Sequence, residues 1–222
     1  MENNEKVSVS EKVASKITAG KTILVAVLVA AVVVIAGFAI CSTVVSKGNK
    51  KGLTALDSIS YTLTKDSAGL SENDLEARRQ NALTSLAAYT KKSGVVGVRA
   101  NMLAGEITYS QKNYESASSY WEKAANKAKN TYTAPLCWYN AAVAYEDMNN
   151  LDKAESCYEK AANAKDFVQV THAKFSLGRV REAKGDKEGA VKAYKDLTDS
   201  SSNDSFANLA KSRLIALESE AN

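Results

Sequence analysis

The stretches that decide the fold are Asn113–Asn126, with the sequence NYESASSYWEKAAN, and Asn150–Asn163, with the sequence NLDKAESCYEKAAN. The two stretches are identical at eight of 14 positions and begin 37 residues apart. A weaker third copy begins at Asp186, 36 residues after the second one. Self-similarity at a fixed period of about 20 to 50 residues is typical of proteins built from stacked repeats. The sequence therefore predicts a stack of similar units.

Each copy carries a small residue, an aromatic residue and a further apolar residue at the spacing i, i+4, i+7, which places all three on one face of a helix. They are Ala117, Trp121 and Ala124, then Ala154, Tyr158 and Ala161, then Ala190, Tyr194 and Leu197. An upstream helix carries its own small residue in each copy, namely Gly105, Ala142 and Gly178. Because a minimal side chain lets antiparallel helices approach closely, we expect each aromatic ring to fill the gap beside it.

Polar pairs are expected to turn the chain between the two helices of each copy. They are Lys112-Asn113, Asn149-Asn150 and Gly185-Asp186, and Asn and Gly tolerate the left-handed backbone that tight turns need. The chain of 222 residues has a single proline, whereas average usage near 5% would give about 11. Since proline breaks helix interiors, its scarcity favours long helices. The predicted fold class is all-α.

An apolar segment precedes the repeats. Residues 22–46 carry no charge, and a helix of that length is roughly 37 Å long, enough to cross a hydrocarbon core of about 30 Å. The sequence predicts a single transmembrane helix in contact with membrane lipid. A cleaved signal peptide and a lipoprotein acylated at Cys41 are the weaker alternatives, because the apolar run is long and Ile40 is not small. Lysines are equally numerous on both sides, so they do not fix the orientation.

The predicted domain organisation follows from these segments. It comprises a short tail at 1–21, the transmembrane helix at 22–46, a short flexible link at 47–52, irregular helices at 53–95, the repeats at 96–200 and a capping helix at 201–222. A capping box at Ser71–Asp74 is expected to open one of the irregular helices. In the capping helix, Phe206, Leu209, Leu214 and Leu217 are the expected apolar members.

No catalytic or metal-binding constellation is present in the sequence. His172 is the one histidine, and no nucleophile elbow or phosphate-binding glycine loop accompanies it. We therefore predict no enzyme activity, no cofactor and no metal site. A net charge of +4, evenly spread, argues against a nucleic-acid partner. Cys137 and Cys157 are more consistent with packed free thiols than with a disulfide, which is left as the alternative.

The pattern resembles the tetratricopeptide repeat family. The family signature is best met from Pro135 to Asp166, and the flanking copies depart from it at Asn101, Lys174 and Arg181. The signature residues there are Trp138, Ala141, Ala142, Tyr145, Ala154, Tyr158 and Ala161. The resemblance implies a solenoid of about three helix pairs, whose first helices line a concave groove that binds proteins or peptides. The groove-facing residues it implies are Arg99, Met102, Glu106, Tyr109, Leu136, Tyr139, Asn140, Val143, Glu146, His172, Phe175, Arg179 and Glu182.

At the level of the whole chain, the order of segments resembles the membrane-anchored tetratricopeptide ancillary subunit of the bacterial Sec translocon. The likeness includes the residues 11–21 that run into the apolar segment, and it continues through 83–89 and 94–117. It implies a single-pass protein of the bacterial inner membrane, with a periplasmic repeat domain that meets Sec channel subunits and periplasmic chaperones. A scaffold for cell-envelope or outer-membrane assembly and a membrane-tethered cytosolic adaptor are the alternatives.

Overall fold

The computed structural model describes residues 34–39, 42–201 and 203–220. The chain divides into two compact units, residues 1–51 and residues 52–222. In the first unit, the described residues 34–39 and 42–51 are helical. Residues 1–33, 40 and 41, which include the tail and most of the predicted transmembrane helix, lie outside the described residues.

No helix within the described ranges has the length and apolar character needed to cross a membrane. Residues 47–52, for which the sequence predicts a short flexible link, are helical, and the boundary between the two units falls within them. Gly52 begins the second unit and is buried, and a Cβ placed on it would lie 2.8 Å from Val96 Cγ1. Close packing against Val96 thus fixes a glycine that we expected to be free.

The second unit is all-α over its described residues, as the sequence predicts. Its helices are α1 (residues 52–64), α2 (Glu72–Thr90), α3 (Gly94–Ser110), α4 (Tyr114–Lys127), α5 (Thr133–Asp147), α6 (Leu151–Ala162), α7 (Val170–Ala183), α8 (Lys187–Ser200) and α9 (Ser205–Glu220). Each helix from α2 onward packs on the next one along the chain, and α9 also packs on α7. The predicted repeats are the hairpins α3–α4, α5–α6 and α7–α8.

The three hairpin turns share one geometry. Lys112, Asn149 and Gly185 have φ of 58°, 56° and 81°, which is the left-handed conformation expected of a helix C-terminus. The residue after each accepts a hydrogen bond through its side chain and so caps the next helix: Asn113 from Ser116 N, Asn150 from Lys153 N, and Asp186 from Gly189 N. The polar pairs in the sequence thus end one helix and begin the next.

Rings fill the gaps beside the small residues of α3 and α7. A Cβ placed on Gly105 would lie 2.6 Å from Trp121 Nε1, and a Cβ placed on Gly178 would overlap the ring of Tyr194. In the middle hairpin, Ala142 and Tyr158 belong to the same core cluster and are fully buried. The other predicted packing residues, Ala117, Ala124, Tyr145, Ala154, Ala161 and Ala190, are buried as well. Trp138 is only partly buried, and Lys160 Nζ lies 3.8 Å from the centroid of its ring.

Terminal helices cover both ends of the repeats. Leu56 of α1, Leu86 of α2 and Val96 of α3 form one hydrophobic core. At the other end, Ala207, Ala210 and Leu217 of α9 close the core of α8. Leu209, one of the expected apolar members of α9, is half exposed, and the small residues Ala207 and Ala210 lie against the core.

Arg181 occupies the position of Tyr145 in the preceding repeat and makes ion pairs there. Its Nε lies 2.7 Å from Glu155 Oε1, and its Nη2 also pairs with Glu159. Lys184 Nζ lies 2.6 Å from a carboxylate oxygen of Glu155. The departure from the repeat signature at Arg181 is therefore explained by acidic partners on α6.

Candidate functional site

The candidate site is the face formed by the first helices of the hairpins, α3, α5 and α7, which we call the first-helix face. It carries the groove residues implied by the sequence. In a repeat array these helices run side by side in the same direction, because an antiparallel second helix separates each from the next. What the face can bind depends on which side chains are already engaged with one another.

An aromatic cluster occupies the α7 end of this face. The Tyr139 hydroxyl lies 3.0 Å from the His172 ring nitrogens, and the His172 ring stacks on Phe206 of α9 at 4.1 Å between centroids. Phe175 also contacts Phe206, with 5.9 Å between centroids. Burial, and the nearby charge of Arg179, lower the pKa of His172. Helix α9 thus covers the part of the face where His172 and Phe175 lie.

A second feature of the face is a three-residue network that joins adjacent repeats. Arg179 of α7 pairs through both Nη atoms with the carboxylate of Glu146 on α5, and Nη2 lies 2.8 Å from Oε2. Tyr158 of α6 donates its hydroxyl to the same Oε2 at 3.0 Å. Desolvation raises the pKa of the Tyr158 hydroxyl, and the Glu146 charge raises it further. Because Glu146 binds both partners, it is engaged within the protein.

The same network recurs one repeat later. Tyr194 of α8 donates to Glu182 Oε2 at 2.9 Å, and Arg213 of α9 pairs with the Glu182 carboxylate. The hydrogen bonds from Arg213 are the largest cause of the lowered pKa of Glu182. The same three residue types thus connect α5 to α7 and α7 to α9. In each case a glutamate on the first helix binds a tyrosine on the second helix of its own hairpin and an arginine on the following first helix.

The first hairpin replaces this network with an aromatic pair. Tyr109 and Trp121 occupy the positions of the glutamate and tyrosine, with 5.4 Å between their ring centroids. The Tyr109 hydroxyl donates to Asp147 Oδ2 on α5 at 2.6 Å. Burial and this carboxylate raise the pKa of Tyr109 to about 12. Tyr109 is therefore held between α3 and α5.

A cleft at the α3 end of the face is shared with α1. It is lined by Leu56, Ser60, Arg99, Met102, Leu103 and Glu106. Arg99 Nη2 lies 2.8 Å from Asp57 Oδ1 of α1, so this arginine is also paired. Glu106 remains exposed on one side, but desolvation by the cleft raises the pKa of its carboxyl.

The predicted groove residues therefore separate into two groups. Arg99, Tyr109, Tyr139, Glu146, His172, Phe175, Arg179 and Glu182 contact side chains of neighbouring helices. The second group consists of Met102, Glu106, Leu136, Asn140 and Val143 on α3 and α5. We call these five residues the open strip. Among the described residues no ion pair or side-chain hydrogen bond involves them, although Met102, Leu136 and Val143 pack on the hydrophobic core with part of their surface. Apart from exposed Glu106, they are partly buried.

The thiols and acids of the described residues form no metal centre. No group of three or more His, Cys, Asp or Glu side chains within those residues could hold a metal ion. Cys137 and Cys157 are free and buried, in agreement with the favoured prediction. Desolvation raises the pKa of each thiol to about 12, so neither is a thiolate near neutral pH.

Sequence reasoning missed Phe206 and Arg213, which complete the face from α9. Both follow their counterparts His172 and Arg179 by 34 residues, which is the usual length of the repeat. That interval was the signal available in the sequence. Helix α9 therefore closes the array, as the sequence predicts, and in addition uses the positions of a further first helix.

Comparison with known proteins supports the repeat assignment. Residues 135–165 match the tetratricopeptide repeat family, which corresponds to the helices α5 and α6. The chain is also similar to a "TPR repeat-containing protein" of Treponema pallidum (strain Nichols), with 30% identity over 135 residues. The aligned region spans 61% of this chain and 56% of the relative, so the chain matches little more than half of that protein. These similarities support the tetratricopeptide repeat family, whose members generally bind proteins or peptides.

Proposed function

We propose that this protein is a non-enzymatic interaction scaffold that binds polypeptide on its first-helix face. The observation that carries the proposal is the open strip. Met102, Leu136 and Val143 pack on the hydrophobic core but keep part of their surface exposed, and Asn140 and Glu106 on the same helices make no ion pair or side-chain hydrogen bond among the described residues. Partly exposed apolar groups supply contact area for an extended peptide, while an amide and a carboxylate bind its backbone groups.

The networks beside the strip support this role by holding its walls in place. The Glu146–Arg179 pair fixes α5 against α7, and Tyr109–Asp147 fixes α3 against α5. Rigid walls reduce the conformational entropy that binding would otherwise cost. Chaperone-binding repeats that hold a C-terminal carboxylate use lysine and asparagine at set groove positions. Asn140 fits that arrangement, whereas Met102 replaces the lysine, so we propose internal segments of polypeptide as the ligand.

For the cellular setting, we propose a single-pass inner-membrane protein anchored by residues 22–46, with its repeat domain in the periplasm. There it would assist the Sec translocon in passing secreted proteins to periplasmic chaperones. The resemblance of the segment order to the Sec ancillary subunit and the charge-free apolar segment support this proposal. Protease treatment of spheroplasts tests the topology, since a periplasmic repeat domain is degraded while the inner membrane is intact.

Co-purification tests the binding role. The tagged full-length protein, extracted gently from membranes, should recover Sec channel subunits. Asn140→Lys in the open strip should reduce that recovery, whereas Ser156→Lys, on an exposed position of the second helix α6, should not. Both variants add the same side chain, so a general charge effect is controlled. Equal recovery by both variants, or a preparation without channel subunits, would count against the proposal.

A further inference from the structure

Exposed apolar side chains recur at the repeat period along one end of the hairpins. Val95, Tyr132 and Val168 are 45%, 81% and 95% exposed. They lie 37 and 36 residues apart, the same intervals that separate the repeat copies. We call these three residues the apolar row. Single exposed apolar residues are ordinary on protein surfaces, but their recurrence at one position of successive repeats is not.

The topology places the apolar row at a single end of the hairpins. Val95 is in the first turn of α3, Tyr132 directly precedes α5, and Val168 lies two residues before α7. Since these first helices alternate with antiparallel partners, their N-termini lie at the same end. One contact agrees with this placement, because Lys127 Nζ, at the C-terminus of α4, donates to the backbone oxygen of Lys92 in the loop before α3 at 2.9 Å.

The fold does not use these side chains. In the loop before α7, the neighbouring Phe167 is 7% exposed and packs into the core, whereas Val168 is almost wholly in water. Tyr132 likewise belongs to none of the hydrophobic clusters among the described residues. Leaving such groups in water forgoes the free energy that their burial would provide. A surface that covers them would recover it.

The charge at this end is predominantly positive. The segments that lead into α3, α5 and α7, at 91–95, 127–132 and 163–168, contain one acidic residue, Asp166. Their lysines are all exposed, and they are Lys91, Lys92, Lys127, Lys129 and Lys165. The turns at the opposite end, at 111–115, 147–152 and 184–188, instead contain more acids than lysines. Lysines favour helix C-termini through the helix dipole, but the dipole does not account for exposed valine and tyrosine beside them.

We propose that this end of the repeat domain docks on the surface of an anionic lipid bilayer. The apolar row would enter the interfacial region, where valine and tyrosine side chains are covered, and the lysines would face the lipid phosphates. A protein partner fits less well, because lysine is depleted in protein interfaces. The apolar residues are also spaced one per hairpin with lysines between them, which suits an extended anionic surface. The inference adds a second contact to the membrane tether in the proposed function, on which it rests.

Lipid quenching of a fluorophore tests the proposal on the full-length protein. In a Cys41→Ser background, an environment-sensitive dye is attached at Tyr132→Cys or Val168→Cys, while Cys137 and Cys157 are protected by burial. Glu115→Cys and Glu188→Cys, which are exposed at the opposite end, are the matched controls. Each protein is mixed with vesicles of phosphatidylcholine alone or with about 30% phosphatidylglycerol, including lipids that carry a nitroxide quencher.

We expect quenching at 132 and 168 to exceed that at 115 and 188 several-fold with phosphatidylglycerol, and to fall as salt is added. Replacement of Lys91, Lys129 and Lys165 by Glu should reduce the quenching at 132 and 168 by more than about tenfold. Equal quenching at both ends in a chain that inserts into vesicles would overturn the docking while leaving the tether intact. If residues 22–46 do not insert, the docking is still supported when the protein floats with anionic vesicles and the three Glu substitutions abolish that flotation. Quenching that requires an added protein would overturn it.

Discussion

The close contact between Gly178 and Tyr194 predicts that adding one methyl group destabilises the protein. A Cβ at position 178 would lie 2.7 Å from Tyr194 Cδ1 and 2.9 Å from Cζ, whereas real Cβ atoms essentially never approach closer than 3.0 Å. The ring cannot shift freely, because it is fully buried and its hydroxyl is bound to Glu182 at 2.9 Å. Gly178→Ala is therefore an overpacking substitution.

The magnitude follows from two opposing effects. Overpacking costs typically 1 to 3 kcal/mol, while replacing a helical glycine with alanine gains about 1 kcal/mol. The difference is a net loss of about 0 to 2 kcal/mol in the free energy of unfolding, and because the Tyr194 ring is fully buried and its hydroxyl is bound, we expect the upper half of that range, about 1 to 2 kcal/mol. The equivalent position in the preceding repeat provides the reciprocal control. Ala142→Gly should also destabilise, by about 2 kcal/mol, because it removes a buried methyl group and lowers helix propensity.

Urea denaturation followed by far-ultraviolet circular dichroism measures both changes. A double variant tests the cause: in a Tyr194→Leu background, which opens space beside position 178, Gly178→Ala should be neutral or stabilising. Interaction energies above about 0.5 kcal/mol are expected for residues in contact. If Gly178→Ala stabilises the wild-type protein by about 1 kcal/mol, as at an ordinary helical glycine, the reasoning is refuted.

Three further predictions concern groups engaged within the fold. Glu146→Gln should lower the free energy of unfolding by about 1 to 2 kcal/mol, because it weakens the hydrogen bonds from Arg179 and Tyr158. Urea denaturation of Glu146→Ala, of Arg179→Ala and of the double variant measures the coupling between the two residues. If the two single effects simply add in the double variant, the predicted coupling is contradicted. The pKa of Glu182 is lowered from 4.5 in the folded state, so its contribution to stability is complete above pH 4.5 and is lost as pH falls through the lowered value. Denaturation between pH 7 and pH 3 should therefore show a smaller loss of stability for Glu182→Gln than for the wild type, and identical profiles would argue against the pairing with Arg213. In a Cys41→Ser background, Cys137 and Cys157 should resist a thiol reagent at pH 8 until urea unfolds the protein, because burial raises the pKa of both thiols to about 12. Rapid labelling of the native protein would instead show that the thiols are accessible.

Local patterns in the sequence were sufficient to predict the hairpins. The small residues Gly105 and Gly178 and the rings that fill their gaps are readable because helical periodicity places them on one face. The turns at Asn149 and Gly185 are readable because these residue types favour a left-handed backbone, whereas in the first turn Lys112, rather than the neighbouring Asn113, adopts that conformation. Such features depend on neighbours within about one repeat.

The contacts among the side chains of the first-helix face could not be predicted in the same way. Whether Glu146 faces solvent or Arg179 depends on the register between α5 and α7, which no single-repeat pattern specifies. Likewise, the sequence marks His172 as a groove residue, and only the placement of α9 shows that Phe206 stacks on it. Similarly, only the structure shows that Gly52 packs against Val96, a residue distant in sequence.

Photo-crosslinking in living cells tests the central claim, that the open strip binds polypeptide, most directly. A photoreactive amino acid replaces Asn140 in the open strip or Ser156 on the exposed surface of α6, and the adducts are identified by mass spectrometry. The account predicts adducts with Sec channel subunits or secreted polypeptides from position 140 and their absence from position 156. The same adducts from both positions, or none from position 140 in a correctly folded protein, would contradict it.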